Sequence, residues 1–320
     1  MTIGGEELAA LRAFEDGLNV RRPDKSRVPA RVLGFGEIST VLEIQSARLI
    51  DLAFKRLPMF RAEAEVTRYS ALYHDYVDVL SNRVGVRVAP GELIDLGARR
   101  GRRVLYIAQA KLPPGSIAHR AIQGLPADEA RRVVQAALAE TRKVFDFNRA
   151  HAPDLAVGFD GQISNWAIVD FEAGRPLPGE IRLTYLDTGT PLMRRNGREQ
   201  LDPELFLRSA PVFLAWLLRL LYLEEVLTRY YDFRRVALDL VANFYKEQRP
   251  DLIPDLIDLV NASFPAGEGL KPLTAQEVTA YYKQDAQLWR AYLAARKIDR
   301  VLHRLLRKDY PYILPAQIKR

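Results

Sequence analysis

Cysteine is absent from the 320 residues, which excludes disulfides and thiolate metal sites. Histidine is scarce: His74, His119, His151 and His303 stand apart without paired ligand spacing, which argues against a zinc site. A long hydrophobic run is also missing. The most apolar stretch, Ala210 to Leu223, is broken by Arg219 and falls short of the roughly twenty residues that span a bilayer. It predicts a buried helix instead. The N-terminus lacks a basic-then-apolar leader pattern, so a cytoplasmic protein is expected. No internal repeat or low-complexity segment interrupts the chain.

The remaining composition is that of an ordinary globular protein, 48% apolar and 27% charged. The length allows one large domain or two lobes with sizeable cores. A net charge of +7 suits anionic ligands such as nucleotides, and equally describes a plain basic surface.

Residues 1–26 read as a short polar helix and a linker. Val28 to Leu33, Thr40 to Ile44 and Ile50 to Lys55 read as strands. Between the first two lies Gly34-Phe35-Gly36-Glu37-Ile38-Ser39. A dinucleotide-binding loop would need a helix after it, and β-branched residues follow instead. A strand–glycine loop–strand hairpin fits better. Glycines in such a loop let backbone N–H groups approach phosphate oxygens.

Lys55 ends an apolar strand, and a buried ammonium needs an anion. Met59 to Leu80 reads as a helix with Val66, Tyr69, Tyr73, Tyr76, Val77 and Leu80 at helical spacing, and Glu63 and Glu65 in its first turns. Glu92 to Leu96 and Arg103 to Ala108 give two more strands, followed by Gln109-Ala110-Lys111-Leu112. Ala127 to Ala150 is a strongly amphipathic helix. Beyond Gly189 the pattern is helical over roughly 203–229, 233–248, 251–262 and 274–308.

The stretch that organises the rest is Gly158-Phe159-Asp160-Gly161-Gln162-Ile163-Ser164-Asn165, with Leu186-Asp187-Thr188-Gly189 downstream. An Asp, an Asn five residues on, an apolar run, a turn-rich insert and a second Asp before x-Gly follow in order. Together with the glycine loop and Lys55, this resembles the kinase-fold phosphotransferases, closest to the aminoglycoside and choline kinase type. The resemblance covers about residues 28–190.

The resemblance implies an α+β, bilobal protein-kinase-like fold. Its small lobe would be a five-stranded antiparallel sheet with one helix, over 27–111, after an N-terminal extension of 1–26. A mostly helical large lobe would fill 112–320. It implies ATP and Mg²⁺ as ligands and a small-molecule hydroxyl as acceptor, with no nucleic acid and no membrane span. Asp160 would be the catalytic acid group that orients or deprotonates the acceptor. Asn165 and Asp187 would hold the metal. Gly34, Gly36 and Ser39 would cover the phosphates, and Lys55, held by Glu65, would neutralise them. Gln109 and Lys111 would form the hinge beside the adenine, Lys111 with a solvated head.

The sequence departs from the family pattern at Gly158 and Phe159, which stand where His and Gly are usual. No Ala-Pro-Glu follows the metal loop, so a peptide platform is not indicated. Two alternatives stay open: a kinase-fold binding protein without turnover, and a nucleotidyl transferase on the same fold. Arg194, Arg195 and Arg198 would either read an anionic acceptor or form a solvated loop. Oligomeric state is not legible.

Overall fold

A computed structural model describes residues 2–317 apart from 37, 100, 209, 212–226 and 265–268. The architecture is α+β. Its largest sheet has five antiparallel strands: β1 Ala30–Phe35, β2 Thr40–Ile44, β3 Leu52–Phe60, β4 Gly91–Arg99 and β5 Arg102–Ala110. Their order is β1-β2-β3-β5-β4. β3 runs beyond its expected end at Lys55. Its register against β5 shifts between Leu57 and Phe60, where Pro58 has no N–H for the ladder.

The sheet is covered on both faces, and β5 shows why. Val104, Tyr106 and Ala108 join one core cluster while Leu105 and Ile107 join the other, the two-residue period of a strand. Over the first face lies helix α1 (Gly5–Asp16), whose Leu11 and Phe14 are fully buried, together with Ile313 from the far end of the chain. The expected polar N-terminal helix is therefore half of a core. Over the second face lies α2 (Glu63–Asp78), which continues through a π turn to Gly85. Met59 and Phe60, expected in this helix, belong to β3.

The second core continues without interruption into the rest of the chain. There α3 (Ala118–Gly124), α4 (Ala127–His151), α5 (Pro203–Leu207), α6 (Phe233–Lys246), α7 (Ile253–Ser263) and α8 (Ala275–Leu305) follow. α4 buries Ala130, Val133, Val134, Ala137, Leu138, Thr141 and Val144, as its period predicts. The helix expected over 203–229 is seen at Pro203–Leu207; most of its apolar run lies outside the described residues.

Two small sheets carry the loops that matter. β7 (Trp166–Ile168) pairs with β8 (Leu183–Tyr185). β6 (Leu155–Val157), β9 (Met193–Arg195) and β10 (Arg198–Glu199) form the other, ordered β10-β9-β6. The β9–β10 hairpin was not expected. It turns at Asn196-Gly197, both with positive φ, the conformation that two-residue hairpins require.

Candidate functional site

The β7–β8 pair fixes two loops side by side. Trp166 faces Tyr185 across the pair, so residues 160–165 arrive where 186–189 leave. The Leu186 N–H donates to the Asn165 carbonyl at 2.8 Å, which makes Asn165 and Asp187 neighbours. Phe159 is fully buried and stacks on the Tyr185 ring at 4.4 Å. It plugs the core beneath the loop, which accounts for an aromatic at a position where the resemblance implied glycine. Gly158 also has a physical reason. A Cβ there would stand 2.7 Å from Leu192 Cβ and 3.0 Å from the Tyr231 ring. No imidazole fits. The loop is fastened instead by Tyr76, whose hydroxyl donates to the Gly158 carbonyl at 3.1 Å.

Lys55 reaches this loop from β3. Its ammonium makes a close ion pair with the Asp187 carboxylate, 132 residues away in sequence. The Lys55 side chain is mostly buried, while Asp187 keeps 31% of its exposure. Gly189 makes room: a Cβ there would lie 2.6 Å from Lys55 Cδ. The Gly189 N–H also donates to Asp187 Oδ1 at 3.3 Å.

Three tyrosines of α2 tie the two loops to the sheet. Besides Tyr76, the Tyr69 hydroxyl donates to the Gly189 carbonyl at 2.9 Å, and the Thr188 hydroxyl donates to Tyr73 at 3.4 Å. Burial first, then the Asp187 and Asp160 carboxylates, holds the Tyr76 pKa above its usual value, so it remains a donor. The spacing of the sequence shows this stripe only as one face of a helix. The residue type is the signal of its further role, since a purely apolar face has no use for three hydroxyls.

Asp160 lies within electrostatic reach of Asp187. Its Oδ1 accepts from the Gln162 N–H at 3.1 Å. Its carbonyl accepts from Asn165 Nδ2 and from the Tyr185 hydroxyl, both at 3.2 Å. Burial pushes the Asp160 carboxyl up to about 7, and the nearby Asp239 and Asp187 carboxylates push the same way. Asp239 comes from α6 and accepts from the Tyr281 hydroxyl of α8 at 2.9 Å. It too was missed. It is the one polar residue in the run from Val236 to Ala242, which was the available signal.

Other expected site residues are engaged elsewhere. Glu65 does not hold Lys55. Arg208 takes it in a bidentate pair at 2.7 and 2.8 Å, and the Arg61 N–H donates to it at 2.7 Å. Those bonds, the Arg208 pair foremost, hold its carboxyl down at about 2. Lys111 does not have a solvated head: it reaches Glu43 at 3.1 Å and the Ile50 carbonyl. Its backbone N–H is given to the Asp51 carbonyl at 2.9 Å. Gln109 donates to the Ala89 carbonyl at 3.5 Å. The expected hairpin of Gly34, Gly36 and Ser39 does form, closed by the Gly36 N–H on the Ser39 carbonyl at 3.0 Å. Ser39 lines a small cavity with Arg56, Arg296 and Tyr312, and Lys55 is not among its lining residues. Arg194 packs on the Tyr231 ring at 4.1 Å and Arg195 pairs with Asp75 at 2.5 Å, so both hold the β9–β10 hairpin in place.

What remains together is one ammonium, an amide, a carboxylate paired with the ammonium, and a second carboxylate of raised pKa. Among the described residues no three His, Asp or Glu side chains converge as a metal cage. The neighbouring Asn165 and Asp187 are hard oxygen donors, and their number suits a magnesium ion that keeps water and phosphate as its other ligands.

No curated protein matches the chain. Residues 26–300 match the model of a family of unknown function, DUF6206, and the chain belongs to that family.

Proposed function

We propose that this protein is an ATP- and Mg²⁺-dependent phosphotransferase of the kinase-like type, passing the γ-phosphate to a hydroxyl of a small molecule. On this reading, β1–β5 with α2 are the small lobe and the later helices the large one. One observation carries the proposal: a strand lysine and the Asp of Asp187-Thr188-Gly189 meet beside Asn165 and Asp160. Phosphoryl transfer asks mainly for positioning and neutralisation of charge, and this set offers both. A magnesium ion supplies part of that neutralisation when bound, and Asn165 and Asp187 would hold it. Lys55 contributes positive charge toward the phosphates. Asp160 takes the proton of the acceptor hydroxyl as its oxygen bonds to the γ-phosphorus and the bond to ADP breaks.

A second reading, a binding protein without turnover, is favoured by the Glu65–Arg208 pair, which leaves Lys55 without the helix anion that the resemblance implies. Thermal shift with Mg-ATP and product analysis over a panel of hydroxyl compounds separate the two. The enzyme should be stabilised by Mg-ATP by mass action and should form ADP and a phosphorylated product. AMP transfer in its place would make it a nucleotidyl transferase. Asp187→Asn should lose both the shift and turnover. Asp160→Asn should keep the shift and lose turnover by about 10²–10⁴-fold. A Mg-ATP shift with no product would favour the binding protein, and no shift at all would remove both readings.

A further inference from the structure

We infer that the C-terminal half of α8 docks on an anionic membrane surface, lying in its plane. No described helix is long and apolar enough to cross a membrane, so the contact would be peripheral. Five large apolar side chains of this half are exposed: Ile298, Val301, Leu302, Leu305 and Leu306, the last two at 73% and 65%. Leu288, one stretch earlier, is exposed as well. At helical spacing these six fall in one stripe about 140° wide. An ordinary surface scatters such residues singly; a contiguous stripe marks a contact surface.

Charge identifies the occupant. Arg290, Lys297 and Arg304 fall along one border of the stripe at helical spacing, with Arg300 behind them, and the exposed Arg307 and Lys308 follow just past the end of the helix. From Ala286 to Lys308 the one acid is Asp299, and it is buried. A second copy would bring more cations to that border and no exposed acid from this segment. A membrane with anionic headgroups brings phosphates to the cations and hydrocarbon to the leucines. Leu on one face and Lys or Arg beside it is the pattern of helices that lie in the membrane interface. The stripe is also broad and stands on a single long helix, not in a narrow groove or seam. This inference is independent of the phosphotransferase reading, because none of these residues belongs to the Lys55–Asp187 site.

The test is co-sedimentation of the full chain with phosphatidylcholine vesicles, with and without phosphatidylglycerol. Binding should be at least about tenfold tighter to the anionic vesicles, given a few-fold per cation near the surface, and should weaken as salt rises. Leu302→Asp combined with Leu305→Asp should weaken it at least tenfold while the thermal melt stays unchanged, since both side chains are exposed. Arg304→Glu with Lys308→Glu should do the same, and serves if the first variant fails to fold. Absence of binding to anionic vesicles would overturn the inference. So would equal binding by wild type and both variants. A dimer by light scattering that Leu302→Asp with Leu305→Asp converts to monomer, without vesicle binding, would assign the stripe to a second copy instead.

Discussion

Asp160 carries a cost in stability that its surroundings set. Its carboxyl is raised to about 7 by burial and by Asp239 and Asp187. Between the ordinary carboxylate range near 4 and this value, the folded chain keeps a proton that the unfolded chain has released. Stability at this position is therefore lost as pH rises through that window. Asp160→Asn removes the ionisation, so it should melt higher than wild type at about pH 8 and level with it at about pH 4. If Asp160 is the base, wild-type turnover should rise with pH around 7, and the variant's residual rate should lack that limb. Equal melting at about pH 8 would show that the carboxylate is not costly where it sits. The positions of Asp160, Asn165, Asp187 and Lys55 were legible in the spacing of short motifs. The pairing of Lys55 was not. Arg208 takes Glu65 from 143 residues away, and no local pattern foretells that contact.

At the scale of elements, α2 and the loop before β7 are fitted to each other. The strands and the helix were legible because a period of two and a period of 3.6 are local signals. That Tyr69, Tyr73 and Tyr76 fasten two loops was not, since it depends on where those loops are carried by β7 and β8. Gly158 is the tightest point of this fit, with Leu192 and Tyr231 against it and the Tyr76 hydroxyl on its carbonyl. Gly158→Ala should destabilise the protein by about 1–3 kcal/mol, the usual cost of overpacking a filled core. Urea unfolding measures it. An unchanged midpoint would mean that the loop relaxes easily around the added methyl. A larger loss in turnover than in stability would place the loop's geometry, not merely its packing, in the reaction.

Helix α1 and the segment around Pro311 together close one face of the large sheet. Arg56 of β3 is buried on the sheet face that α1 covers, and Glu15 of α1 meets it with a bidentate pair at 2.6 and 2.8 Å. The Tyr106 hydroxyl also donates to Glu15 at 2.5 Å, and Arg56 donates to the Pro311 carbonyl at 2.6 Å. Residues 15, 56, 106 and 311 thus form one buried network, and its assembly from four distant segments is why the sequence disclosed the strands but not their second cover. Removing one member of a buried ion pair strands the other, at about 3–5 kcal/mol. Glu15→Ala should cost that much, and adding Arg56→Met should recover part of it. The consequence should travel. The core on the opposite face of the sheet runs from Leu57, Leu105 and Ile107 through to Trp166 and the helices beyond. If that shared core makes the protein one cooperative unit, Glu15→Ala should lower the urea midpoint equally by tryptophan fluorescence and by far-UV circular dichroism. A midpoint that falls by circular dichroism while the fluorescence transition stays in place would show instead that the sheet and the helical part unfold separately. Residues 27–111 would then be a small lobe with a stability of its own.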